Sequence, residues 1–141
     1  MKGQWKHNIM LVARVTDEAG PHATVRHEVP VSPGQRQPSA DSVVDWPHLR
    51  AVVEGEVTPP RVPNDVAKAV RLGAGALVLV APTRRVVRGI RQKLALFQLK
   101  TLPFQIFVFT QGEARQWVAN QAQLARAATN KTNNQDPRNY S

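Results

Sequence analysis

The chain has no cysteine, which excludes disulfide bonds and thiolate metal sites. No apolar run approaches the roughly 20 residues that a bilayer-spanning helix needs, so no transmembrane segment is expected. The opening MKGQWKHNIMLVARVTDEAG lacks the clean apolar stretch and small-residue cleavage site of a secretory signal. A cytoplasmic protein is therefore expected. No phosphate-cradling glycine loop is present: Gly73-Ala74-Gly75 has no P-loop lysine and follows a helical pattern. No Ser/His/Asp signature and no internal repeat is visible, and His7, His22, His27 and His48 stand at no ligand spacing. Acids are scarce as well. Ten Asp and Glu face nineteen Lys and Arg, a formal net charge of +9. No acid lies between Asp65 and Glu113, a span that carries Lys68, Arg71, Arg84, Arg85, Arg88, Arg91, Lys93 and Lys100. Such an excess favours a polyanionic partner, with nucleic acid first.

The 141 residues and their 42% apolar content suffice for one core. One domain is expected over 1–128. The polar TNKTNNQDPRNYS of 129–141 cannot bury enough surface to offset its ordering entropy and is expected to be a disordered tail. Around 9–16, Ile9, Val12, Ala13 and Thr16 fit a helix, while Ile9-Met10-Leu11-Val12 also fits a strand. Residues 23–31 alternate, with Val25, His27 and Val29 on one side, and predict a strand. A loop over 32–39 leads to a short strand at 42–44, a turn at Asp45-Trp46-Pro47-His48 and a strand over 49–57. Trp46 is expected to pack rather than to stack on a base. Three prolines between Thr58 and Pro63 break the pattern. Asn64 then reads as the N-cap of a helix that has Asp65 in its first turn, a stripe of Val66, Ala69 and Val70, and its end at Gly73.

The ALVLVA of 76–81 suits a strand buried on both faces. Thr83 caps a helix from Arg84 to about Leu99, with Val87, Ile90, Leu94 and Phe97 as its core stripe. A strand over 104–109 follows. Thr110 and Glu113 form a capping box for a helix reaching about Ala128, with Ala114, Trp117, Val118, Leu124, Ala125 and Ala128 on its apolar side. Closely spaced strands followed by alternating strands and helices predict an α/β (α+β) fold. Its mixed central sheet has helices on both faces.

The segment DSVVDWPHLRAVVEGE, Asp41 to Glu56, places three carboxylates at the ends of two neighbouring strands. Clustered acids repel one another and persist when a cation or a chemical task holds them. Residues i and i+2 of a strand share a face, so Glu54 and Glu56 project together, and Asp41 joins them if its strand lies alongside. Asp41 and Glu54 would then ligate Mg²⁺ or Mn²⁺, Gly55 would offer its carbonyl, and Glu56 would be a further ligand or orient the attacking water. The alternative places Glu54 and Glu56 in solvent on an edge strand, where charge discourages aggregation. Glu28 is a candidate fourth acid.

The element order and these acids resemble the PD-(D/E)XK, or restriction-endonuclease-like, nuclease superfamily. Ala40-Asp41 stands where that family has Pro-Asp, and Glu54-Gly55-Glu56 where it has an acid-x-lysine triplet. The resemblance covers roughly residues 7 to 128. It implies a Mg²⁺- or Mn²⁺-dependent endonuclease or nickase acting on DNA, of a mobile element or phage, working as a homodimer. Glu56 replaces the family's lysine, and Lys68 or Arg61 would supply the positive charge from elsewhere. Arg84, Arg88 and Arg91 share a helix face flanked by Arg85, and with Arg61 and Lys68 they form a candidate phosphate-contacting surface. Two other functions fit the same residues. One is a catalytically inactive, nuclease-fold nucleic-acid-binding accessory protein. The other is an interaction component with an acidic protein partner.

Overall fold

A strand with no polar side chain is stable only when both its faces are covered, and Ala76–Ala81 organises the molecule accordingly. The computed structural model describes residues 10–35, 37–97 and 101–134. In chain order the elements are helix α1 (10–16), strands β1 (Thr24–Pro30), β2 (Ser39–Trp46) and β3 (Leu49–Gly55), helix α2 (Val62–Arg71), strand β4 (Ala76–Ala81), helix α3 (Arg84–Leu94), strand β5 (Gln105–Thr110) and helix α4 (Gln111–Asn134). The sheet order is β1-β2-β3-β4-β5. The first three strands form an antiparallel meander, and β3, β4 and β5 are parallel through the α2 and α3 crossovers. Trp46 pairs with Leu49, which leaves a two-residue turn at Pro47-His48.

All six residues of β4 are buried, and their alternation divides the core. Leu77 and Leu79 pack with Val43, Val52, Val62 and Ala69 of α2, and Val87, Ile90 and Leu94 of α3. Val78 and Val80 pack with Val44, Ala51, Val53, Leu11, Val12 and Val15 of α1, and Ala114, Val118 and Ala125 of α4. The result is an α/β fold with a mixed sheet between two helical layers. No helix among the described residues is long and apolar enough to cross a membrane.

Several local expectations are corrected. The 10–16 segment, for which the sequence leaves helix and strand both open, is a helix, because Leu11, Val12 and Val15 at helical spacing meet the sheet. Val25 and Val29 do not share a face: Val25 packs on the α1/α4 side and Val29 on the α2/α3 side. Glu28 between them has a φ of 49°, and this left-handed residue breaks the two-residue alternation. Helix α2 begins at Val62, behind a 3₁₀ turn at Pro59–Arg61, with Pro63 in its first turn. Asn64 is therefore inside the helix and not its cap. Val70 is exposed, and the buried face runs through Val62, Asp65 and Ala69. Thr83 caps α3 as expected, accepting the Val86 N–H at 3.2 Å, but the helix ends at Leu94 and Phe97 is exposed.

Helix α4 starts with the expected contact from the Thr110 N–H to Glu113 Oε1 at 3.0 Å. It continues to Asn134, through the first part of the expected disordered tail. Extending an established helix fixes one residue per new hydrogen bond, and Thr129 Oγ1 additionally bonds the Ala125 carbonyl. Residues 135–141 lie outside the described residues. Leu124 of the expected apolar side is exposed. Trp46 packs as expected, its Nε1 donating to the Ala19 carbonyl at 2.9 Å.

Gly20 closes the α1 segment with φ 81° and ψ 178°, a region open essentially to glycine alone. A Cβ there would sit 3.1 Å from Cβ of Ala122. Gly20→Ala is expected to lower stability by about 1–3 kcal/mol in urea unfolding. An unchanged midpoint would show that the backbone relaxes freely at this point.

Candidate functional site

Chain geometry alone brings the acids together. Ser42 of β2 pairs with Val53 of β3, so Asp41 stands one residue on, beside Glu54. The Gly55 N–H donates to Asp41 Oδ2 at 2.8 Å and fixes that carboxylate. The Glu56 N–H continues the ladder to the Val80 carbonyl at 2.9 Å, which keeps Glu56 on the face of Glu54. Glu56 Oε1 in turn accepts the Thr58 N–H at 2.8 Å. A fourth acid, Asp65, enters from α2. Glu54, Glu56 and Asp65 are 2%, 4% and 3% exposed, which excludes solvent-facing acids on an edge strand. Strand β3 is in any case the middle strand of five.

The four carboxylates line a cavity of about 620 Å³ that also takes in Arg61, Asn64, Lys68 and Arg71 of the α2 region. Arg61, Asn64, Lys68 and Arg71 recur at helical spacing along one side of α2. Lys68 Nζ lies 3.8 Å from Glu54 Oε1, an ion pair without a hydrogen bond. Glu54 Oε1 and Asp65 Oδ2 are both buried and receive no hydrogen bond.

Burial raises the carboxyl pKa of Asp41, against the Gly55 N–H that favours its ionised form. Burial raises Glu54 further, and the neighbouring Asp41 charge adds to it. Asp65 is raised by burial first and then by contact with Glu56 and the charge of Glu54. Lys68 opposes all three shifts. The carboxyls meet as two pairs, Asp41 with Glu54 and Asp65 with Glu56. Two carboxyls in contact are stable only when a proton is shared or a cation stands between them.

The expected site residues fall into two groups. Asp41, Glu54, Glu56, Arg61 and Lys68 line one cavity. Arg84, Arg85, Arg88 and Arg91 do not; they lie exposed on α3. Arg91 Nη2 donates to the Val108 carbonyl at 2.9 Å. Both groups nevertheless stand at one end of the sheet. Helix α3 starts just past the carboxyl end of β4, and the acids stand at the carboxyl end of the parallel β3. In open sheets with parallel strands that end is where ligands bind. His7 lies outside the described residues.

Family models, curated proteins and solved structures offer no match to this chain.

The residues themselves suit a hard divalent cation. Among the described residues no group of three or more Asp, Glu or His side chains is arranged to hold a metal ion by itself. Mg²⁺ asks for less, since it is often held by one or two carboxylates and keeps several waters. The Asp41–Glu54 pair supplies two carboxylates, and Glu54 Oε1 receives no hydrogen bond and faces the Lys68 ammonium at 3.8 Å.

Asp65 and Asn64 escaped the sequence reading as cavity residues, and Arg71 was read only as part of the basic stretch. The signal for Asp65 was its place in the apolar stripe of Val62, Val66, Ala69 and Leu72, where a lone acid is costly. Arg71 stands three residues after Lys68, a spacing that puts both on one side of α2. Glu28, the suggested fourth acid, is exposed and does not line the cavity.

Proposed function

We propose that this protein is a divalent-metal-dependent nuclease or nickase acting on DNA phosphodiester bonds, built on a restriction-endonuclease-like core. The observation that carries the reading is the placing of half-buried Asp41 beside buried Glu54, in one cavity with Arg61, Lys68 and Arg71. An acidic floor with a basic rim matches a phosphodiester, whose anionic oxygens need positive charge while its hydrolysis needs an activated water. The antiparallel β1–β3 meander, the α2 crossover and the parallel β4 support the reading.

When bound, a divalent cation would supply Lewis-acid polarisation of the phosphoryl group and activation of water. Asp41 and Glu54 hold that charge in place, and the Gly55 N–H sets the orientation of Asp41. Lys68, 3.8 Å from Glu54, supplies the positive charge that Glu56 cannot. Arg61 and Arg71 engage phosphate oxygens at the rim, where a guanidinium fork bonds bidentately. Arg84, Arg85 and Arg88 continue the backbone contact along α3. One such site cuts one strand, so a homodimer would be needed to cut both, and the setting is cytoplasmic.

The test is nicking of supercoiled plasmid. Wild type with Mg²⁺ or Mn²⁺ is expected to yield open circles, EDTA to abolish them, and Glu54→Ala and Asp41→Ala to lose detectable cleavage. Equal nicking by wild type and Glu54→Ala would sink the enzymatic reading. Salt-sensitive DNA binding without cleavage by any form would favour the inactive, nucleic-acid-binding alternative, to which Glu56 in place of lysine gives support.

A further inference from the structure

We propose that Glu56 and Asp65 form a second divalent-cation site, with ligands from the end of β3 and the first turn of α2. The proposal rests on the reading of the cavity as a cation site, but it has its own observations. Both residues are more than nine-tenths buried and line the cavity. Their carboxyls are in contact, yet Asp65 Oδ2 receives no hydrogen bond from any donor. Glu56 is anchored through Oε1 by the Thr58 N–H, so the contact is not an accident of a loose side chain.

The charge balance points the same way. Four carboxylates share the cavity with Lys68, Arg61 and Arg71, and the Lys68 ion pair, at 3.8 Å, is with Glu54 and not with Asp65. One divalent ion at Asp41 and Glu54 leaves Glu56 and Asp65 in contact with no cation between them. A second at Glu56 and Asp65 leaves no buried acid facing another without a counterion. The site would take a small hard cation, Mg²⁺ or Mn²⁺, because every donor is a carboxylate oxygen and two carboxylates suffice when waters complete the shell. It would also bind α2 to the sheet, because Glu56 follows β3 and Asp65 rides on the helix that carries Lys68, Asn64 and Arg71. The positions of those rim residues would then depend on the second ion.

The test is Mn²⁺ binding to the full-length protein at pH 7.5, followed by electron paramagnetic resonance of the free ion and by calorimetry. Wild type is expected to bind two Mn²⁺ per chain, and Asp65→Asn and Glu56→Gln one each. Asp41→Asn is expected to bind one and to keep the ion that Asp65→Asn loses. Asparagine and glutamine preserve shape and remove only charge, and far-UV circular dichroism with thermal melts checks the fold of each variant. One Mn²⁺ in wild type, retained in both Asp65→Asn and Glu56→Gln but lost in Asp41→Asn, would overturn the second site and leave the proposed function standing. One ion lost in Asp65→Asn but kept in Asp41→Asn would support this site and remove the ground for the Asp41–Glu54 centre. No binding to wild type would overturn both.

Discussion

In EDTA the protein is expected to lose stability steadily as the pH rises from about 5 to 8, the reverse of what basic proteins with paired surface carboxylates show. Asp41, Glu54 and Asp65 all have native pKa values above the ordinary 3.8 and 4.5 of their side chains. The folded state therefore keeps protons that the unfolded chain has released. The stabilisation is complete below the unfolded values and is lost as the pH climbs through the native ones. Each extra proton held by the native state gives a slope of about 1.4 kcal/mol per pH unit. Glu113 is shifted the other way by its bonds from Thr110, but it lies at the surface and does not reverse the trend. Urea unfolding in EDTA at four pH values measures this directly. Asp65→Asn is expected to flatten the slope. Saturating Mn²⁺ is expected to restore stability at pH 8, by about 2.7 kcal/mol at a hundredfold excess over Kd. A profile that is flat or rises with pH would show that the acids are ionised in the metal-free fold.

Replacing Arg84, Arg85 and Arg88 together by glutamine is expected to weaken binding to a short DNA duplex by about 1–2 orders of magnitude at low salt. The log–log salt dependence should lose a slope of about 3, close to one unit per phosphate contact removed. Arg91 is left out because its guanidinium is engaged with the Val108 carbonyl. Glu54→Gln should bind DNA about as tightly as wild type in EDTA, since the amide keeps the shape of the protonated carboxyl that burial favours there. Fluorescence anisotropy across a salt series separates the two effects. An unchanged slope in the triple variant would assign the α3 face to some other role, such as an acidic protein partner.

What the chain's letters disclosed, and what they concealed, follows from the range of each interaction. ALVLVA could be read as a buried strand because its burial on both faces is written in every residue. Asp41, Glu54 and Glu56 could be placed together because strand alternation and a short hairpin are local rules. Asp65 could not, because Asn64 offers a strong capping signal that the Pro59–Arg61 turn overrides by starting α2 three residues earlier, with Arg61 in the cap position. Asp65 keeps its place in the first turn but lies on the buried face with Val62 and Ala69, where it forms part of the cavity wall. The arginines of α3 share a helix face as expected. Their separation from the cavity depends on which strand α3 follows, a tertiary fact that periodicity does not contain. The extent of α4 was likewise hidden, since the polar letters after Ala128 describe a poor core and not a poor helix.

Glu28 has a last consequence for how this molecule can diversify. Its left-handed turn sends Val29 to the α2/α3 side, and the chain emerging from β1 follows, bringing Val31 and Pro38 to the mouth of the cavity. One wall of the cleft is thus a connector between two strands, while the acids hang from the sheet and from α2. The connector can lengthen, shorten or change its letters without moving a single carboxylate. Under the nuclease reading proposed above, substrate preference would be set apart from the chemistry, and substitutions between Val31 and Pro38 are expected to change selectivity before they change cation binding.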